Sequence, residues 1–232
     1  MIGRQRIPAD TGNIAKAIPP AGSIPDWTLE EYNSMRIALS FVLALLVAPI
    51  AAQEPEKKFE ITPAVQQQLD DWKKTIAQWA TDPKVLAAVA EQNKKGPLEG
   101  MDNKKWKTLR RRSPEVDAFT TNDAAKELAA KAKATGGIVS EAFLNAAKGE
   151  KVAFLEKTSS YLHAGSPKFD QPFQKLQAWQ GKPEFDESSQ AYAVQLAVPV
   201  LDPKDPKQAV GVLVVGLNVT QMASPKPPTP AK

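Results

Sequence analysis

The sequence predicts an α+β fold, in which several helices precede an antiparallel sheet of about five strands. Residues 62–134 repeat apolar side chains at helical spacing, whereas residues 138–219 contain runs of β-branched residues separated by turn residues. The two longest runs, 192–200 and 209–219, are predicted to form the central antiparallel hairpin. The intervening segment 201–207 is predicted to be a turn, because its two prolines lack the amide donor that a ladder needs.

The first strand of this hairpin has two unlike faces, because successive side chains point to opposite sides of a sheet. One face is bulky and apolar, and consists of Tyr192, Val194, Leu196, Val198 and Val200. The other face is small and consists of Ala193, Gln195 and Ala197. Two interpretations of the small face stay open. It lies under a closely packed helix, or it leaves room for a ligand that contacts the amide of Gln195.

Helix signals occupy the region before the sheet. Thr62 followed by Pro63 predicts a helix N-terminus, and a long apolar stripe follows on one face at Val65, Leu69, Trp72, Ile76 and Trp79. Residues 82–96 begin with Asp-Pro and end with glycine, which predicts a second helix. Residues 102–134 are predicted to form several short helices.

Composition excludes several classes of site. The chain has 232 residues and no cysteine, so a disulfide scaffold, thiol catalysis and a zinc ribbon are excluded. His163 is the single histidine, which excludes a site built from several imidazoles but leaves a carboxylate-only metal site possible. No nucleophile with its base, no phosphate loop and no metal triad is recognisable in the sequence. The protein is therefore predicted to be a non-enzyme without a cofactor.

A targeting signal begins at Met35, where Arg36 precedes the apolar run 37–48 and a proline and small residues follow. Residues 35–52 are predicted to be a signal peptide that is cleaved after Ala52, and an uncleaved N-terminal anchor is the alternative. The mature protein is then expected in the periplasm or outside the cell, without a membrane anchor.

The remaining boundaries follow from composition. The predicted segments are an upstream extension over 1–34 that is disordered and mis-assigned, a linker over 53–61, a single domain over 62–222 and a proline-rich tail over 223–232.

Six short segments occur in an order that resembles a known family. They are 149–153 (GEKVA), 157–161 (KTSSY), 168–169 (KF), 185–188 (FDES), 198–202 (VPVLD) and 211–217 (GVLVVGL). The succession is similar to the Cache family of extracytoplasmic, PAS-like (PDC-type) sensor domains. It departs from the family pattern at Ser160, where an aspartate is common, and at Phe169, where a tryptophan is common. The resemblance implies a PAS-like sheet with a long N-terminal helix along one face.

Candidate ligand-binding residues concentrate before and within the last hairpin, where aromatic and charged side chains are mixed. The resemblance places an aromatic residue, Tyr161, beside the cavity. Lys168 suits a ligand carboxylate or solvent, and Asp186 suits an ammonium group, a pair with Lys168 or a turn. His163 is either a ligand contact or an exposed loop residue. The full set is Tyr161, His163, Lys168, Phe169, Phe173, Asp186, Ser188 and Gln195.

These observations predict an exported, non-enzymatic module that binds a small organic acid or amino acid, with a monocarboxylate favoured. The resemblance implies a membrane-bound signalling protein as partner. The alternative is a structural or protein-interaction module that keeps the PAS-like fold without a ligand. A basic cluster over 104–112 surrounds Trp106 and is interpreted as the solvated face of a helix, so no nucleic-acid partner is predicted.

Overall fold

The structure is a computed structural model that describes residues 59–187 and 190–224. The upstream extension, the signal peptide and residues 225–232 of the tail lie outside the described residues. In chain order, the elements are α1 (Pro63–Ala80), α2 (Pro83–Lys95), α3 (Asn103–Thr108), α4 (Pro114–Thr121), α5 (Asp123–Lys133), β1 (Val139–Ala146), β2 (Lys151–Phe154), α6 (Pro167–Lys175), β3 (Trp179–Gln180), β4 (Glu184–Asp186), β5 (Ala191–Asp202), β6 (Asp205–Asn218) and α7 (Val219–Ala223).

The two N-terminal helices begin where the sequence predicts. Thr62 Oγ1 accepts a hydrogen bond from the amide of Val65 (3.3 Å), and Pro63 occupies the first turn, where an amide donor is not needed. Asp82 caps α2 through the amide of Lys84 (2.9 Å). The cap beyond α2 is Gly96, whose φ of 74° lies in the left-handed region that glycine adopts without strain.

The sheet is antiparallel throughout and has six strands, in agreement with the predicted α+β class. Its order is β2, β1, β6 and β5, and both β3 and β4 pair with the far edge of β5. The predicted hairpin forms β5 and β6, and β6 lies between β1 and β5. The helical region therefore comes before a sheet whose centre is the last hairpin of the chain.

The turn of this hairpin is shorter than the sequence predicts. The strands continue to Asp202 and resume at Asp205, so residues 201–207 are not all turn. The register shifts on both sides of Leu201. Asp202 pairs with Asp205, whereas the preceding residue, Leu201, pairs with Ala209, so residues 206–208 of β6 have no partner in β5. Pro206 lies in this unpaired β-bulge. No ladder hydrogen bond is needed there, so the missing amide donor of proline is tolerated.

Two apolar clusters cover the two faces of the sheet. The first contains α1, α2 and α5 residues with the bulky face of β5, for example Leu69, Ile76 and Leu196, all fully buried. The second is aromatic and lies on the opposite face, where Trp106 contacts Phe154 and its Nε1 donates to the carbonyl of Thr158 (2.8 Å). Trp106 is thus buried, while its basic neighbours, Lys104, Lys105, Lys107, Arg110, Arg111 and Arg112, are exposed. None of the helices in the described ranges has the length and hydropathy that crossing a membrane requires.

Leu69→Ala is expected to lower the free energy of unfolding by about 2–5 kcal/mol, because it leaves a cavity between α1 and the sheet. Gln67→Ala, on the exposed side of the same helix, is the matched control and should change stability by less than about 0.5 kcal/mol. Denaturant unfolding of the three proteins measures both effects. Equal effects at the two positions would contradict the packing of α1 on the sheet.

Candidate functional site

A cavity of about 660 Å³ opens on the face of the sheet opposite α1. Its floor is formed by Ala193 and Gln195 of β5 and Gly216 of β6, and Trp179, which pairs with Ala197, supplies an aromatic wall. Phe185 borders the cavity, but its ring packs against Tyr192 on the other face of the sheet. The remaining lining residues are Arg111, Ser140, Glu141, Glu156, Gly181, Lys182, Glu184 and Asp186. The cavity therefore combines one aromatic wall with charged groups of both signs.

The small face of β5 is partly covered by a helix and partly open, so each of the two interpretations from the sequence holds for one part of it. Ala197 is fully buried in the aromatic cluster together with Phe169 of α6. Ala193 and Gln195 instead line the cavity. One strand face is thus covered by a helix at one end and open to the cavity at the other.

Gly216 lies on the central strand of the cavity floor, between β5 and β1. It pairs with Gln195 of β5 on one side and with Glu141 of β1 on the other. A Cβ atom at this position would lie 3.1 Å from the Cβ of Glu141, which is tighter than ordinary packing. Glycine therefore allows the side chains of Glu141 and Gln195 to meet above the central strand.

Gln195 connects two charged side chains of opposite sign. Lys168 Nζ donates to Gln195 Oε1 (2.7 Å), and Gln195 Nε2 donates to Glu141 Oε2 (2.8 Å). The orientation of the amide follows from chemistry, because an ammonium group only donates and a carboxylate only accepts. We call this set of three side chains the Gln195 bridge. Lys168 reaches it from α6 and does not line the cavity, so the amide stands between the cavity and the ammonium group.

Acidic side chains outnumber basic ones in the cavity lining. Four carboxylates, from Glu141, Glu156, Glu184 and Asp186, stand against the cations of Arg111 and Lys182. Arg111 and Glu156 form an ion pair of 3.5 Å at the rim, where both side chains are more than three-quarters exposed and solvent weakens the interaction. The charge of the lining is therefore unfavourable for a ligand with several negative groups.

Basic groups lie on the inner side of the bridge, around the ring of Phe143. Lys151 Nζ is 3.3 Å from the ring centroid, Lys168 Nζ is 5.9 Å from it, and the His163 ring centroid is 4.8 Å away. Lys151 is fully buried, and among the described residues its Nζ has no hydrogen-bond partner. Burial lowers the pKa of Lys151 well below its usual value, although the nearby Glu141 carboxylate opposes this. Burial, with Lys151 and Lys168 nearby, lowers the pKa of His163 to about 2.

The structure brings only part of the predicted site together. Asp186 and Gln195 line the cavity, and Lys168 contacts Gln195. His163 is buried below them rather than exposed in a loop. Ser188 lies outside the described residues.

The three aromatic candidates face the interior rather than the cavity. Tyr161 is fully buried, and its hydroxyl accepts a hydrogen bond from the amide of Leu98 (2.8 Å). Phe169 and Phe173 stack with ring centroids 5.1 Å apart and pack against the aromatic cluster. Their positions indicate a packing role for these rings.

Among the lining residues that the sequence-based prediction missed, Glu141 and Gly216 each carry a signal. Glu141 is a carboxylate within a mostly apolar strand, and such a group needs a polar partner when it is partly buried. Gly216 interrupts the β-branched run of β6, which often marks close approach by another group. Within the described ranges, no group of three or more histidine or acidic side chains is placed to hold a metal ion.

Comparison with known proteins gave structural similarity alone. No family model matches the chain. No curated protein matches it either.

The solved structures that are similar to the chain include three sensory domains. The ligand-binding domain of the Campylobacter jejuni chemoreceptor Tlp3, in complex with 4-methylisoleucine, has a TM-score of 0.37 and 10% identity over 68% of this chain and 55% of that one. The sensor domain of the V. cholerae histidine kinase DctB has a TM-score of 0.31 and 14% identity over 67% of this chain and 57% of that one. The ligand-binding domain of the Pseudomonas aeruginosa amino acid chemoreceptor PctC, in complex with GABA, has a TM-score of 0.34 and 12% identity over 67% and 62%. The chain thus spans less than two thirds of the length of each.

Lys151→Met is expected to raise the free energy of unfolding at pH 7 by at least about 1 kcal/mol, because the buried amine gives up hydration without gaining a hydrogen bond. The pKa of Lys151 is lower in the folded state, so the unfolded chain holds the extra proton and wild-type stability rises with pH. The advantage of Lys151→Met should therefore shrink as the pH approaches about 10.4, the usual lysine pKa.

Denaturant unfolding between pH 6 and pH 10 measures this effect, with the exposed Lys107→Met as matched control. A loss of stability in Lys151→Met would show instead that the contact between its amine and the Phe143 ring outweighs the cost of burial.

Proposed function

We propose that the chain is an exported, non-enzymatic small-molecule-binding module of the sensor type, and that the cavity beside the Gln195 bridge is its ligand site. The ligand is a small organic acid or an amino acid. The observation that carries this proposal is the combination of one aromatic wall, Trp179, with oppositely charged groups over a floor of small residues. The resemblance of the sequence to extracytoplasmic sensor domains supports the same function.

The size and surface of the cavity suit a small organic molecule. Its volume of about 660 Å³ lies within the range of about 300–1,000 Å³ that is usual for such sites. Trp179 offers apolar contact. The charged lining would then orient the ligand.

The charges of the lining restrict the ligand class. A dicarboxylate would bring its second negative group close to Glu141, Glu184 or Asp186. A monocarboxylate or an amino acid avoids this repulsion, and the ammonium group of an amino acid would gain from it. The geometry therefore supports these two classes over more acidic compounds.

A non-enzymatic role agrees with the hydrogen bonding of Ser140, which lines the cavity. Ser140 Oγ donates to the carbonyl oxygen of Gly216 (3.3 Å), so its proton is not directed to a general base. Export rests on the signal over 35–52, and the membrane-bound signalling partner rests on the sequence resemblance.

A second candidate function is a protein-interaction module without a ligand. The Gln195 bridge favours it, because the amide already satisfies Lys168 and Glu141. In that case the exposed Phe185 would belong to a docking surface.

A thermal-shift screen of monocarboxylates and amino acids separates the two functions. At least one compound is expected to stabilise the wild-type protein, by about 2.7 kcal/mol at a concentration 100 times its Kd. Ala193→Phe should abolish the shift, since the ring would occupy the cavity. Ala129→Phe, on the exposed surface of α5, is the matched control and should keep it.

Two results would count against the proposal. If no compound stabilises the wild-type protein, the interaction module becomes the better account. If Ala193→Phe responds like Ala129→Phe, the ligand binds elsewhere.

A further inference from the structure

The Gln195 amide makes contacts of the kind that a zwitterion would make. Its oxygen accepts from the ammonium group of Lys168, as a carboxylate does, and its NH₂ group donates to the carboxylate of Glu141, as an ammonium group does. The two contacts are short, at 2.7 and 2.8 Å. The amide oxygen thus lies where an α-carboxylate would lie, and the amide nitrogen lies where an α-ammonium group would lie, although the amide itself is neutral.

We propose that the Gln195 side chain is an internal substitute for a zwitterionic ligand, which binds by displacing it. The ligand carboxylate takes the place of the amide oxygen on Lys168, and the ligand ammonium group takes the place of the amide nitrogen on Glu141. This inference rests on the proposed function, since it concerns the same cavity. It identifies Glu141 as a specificity-determining residue and Gln195 as the residue that holds the site closed.

The surroundings of Gln195 allow the exchange. Its side chain borders the cavity, and the nearby floor positions are Ala193 and Gly216, which leave space for it to move aside. Glu141 is positioned by strand pairing with Gly216, and Lys168 by the helix α6. The two charged groups can therefore stay in place while the amide leaves.

The exchange selects a zwitterion over either of its halves. A zwitterion replaces two hydrogen bonds to a neutral amide by two in which both partners are charged, and such bonds are shorter and stronger. A monocarboxylate that displaces the amide would satisfy Lys168 and leave Glu141 without its donor, and an amine would leave Lys168 without its acceptor. Binding of either half therefore leaves one partly buried charged side chain without a hydrogen-bond partner, which is unfavourable.

The test is calorimetric titration with three probes: glycine as the zwitterion, and acetate and methylamine as its halves. Gln195→Ala is expected to bind glycine about tenfold more tightly than the wild-type protein, because no amide has to be displaced. Acetate and methylamine should gain less than glycine. Gln195→Met, which removes the amide but still fills the space, should not show the gain.

The matched control is Gln180→Ala, whose amide bonds to Gln66 (3.0 and 3.1 Å) and does not line the cavity. It should bind glycine as the wild-type protein does. If Gln195→Ala does not fold, Gln195→Ser serves the same purpose with a smaller polar side chain.

Two outcomes would overturn the inference. In the first, glycine binds Gln195→Ala no more tightly than the wild-type protein, as it would if Lys168 and Glu141 paired directly in the variant. In the second, acetate or methylamine gains as much as glycine. The proposed function is judged separately, by the thermal-shift screen of the wild-type protein, and it stands if other compounds bind there while this inference fails.

Discussion

The hydrogen bonds from Gln195 to Lys168 and Glu141 determine where charge is available in the cavity. Without the amide, an ammonium group and a carboxylate would face each other across the floor, close to a cavity that is already rich in acidic side chains. With it, Lys168 is satisfied from the inner side and the lining is dominated by carboxylates. The proposed recognition chemistry of the site therefore depends on one neutral side chain placed between two charged ones.

The bridge also separates the cavity from a polar interior. Lys151 and His163 lie on its inner side against Phe143, and both are buried with their pKa values lowered. Among the described residues, Lys151 Nζ and His163 Nδ1 have no hydrogen-bond partner. Burying such polar atoms lowers the stability of the fold, whereas apolar side chains of the same shape would not lower it. Proteins retain such costs most often near functional sites, which agrees with a ligand site on this face of the sheet.

The sequence predicted what depends on local signals and missed what depends on contacts between distant segments. Thr62 caps its helix because capping needs only neighbouring amides, and the position of Gln195 on the small face followed from period-two alternation. Its partner Glu141 is 54 positions away in sequence, and no local pattern indicates that they meet. Tyr161 was placed beside the cavity by family resemblance, whereas in this chain its hydroxyl binds the amide of Leu98 in the core. Pro206 was assigned to a turn because a bulge that accommodates proline leaves no sequence signature.

The most direct measurement of the bridge is the NMR order parameter of the Gln195 side-chain amide in the ligand-free protein. An amide held by both Lys168 and Glu141 should be nearly as rigid as the backbone, with an order parameter of about 0.85. Exposed Gln208 provides an internal reference for a side-chain amide outside the site. A Gln195 value below about 0.6, typical of flexible groups, would show that the amide is not held between the two charges and would contradict the account.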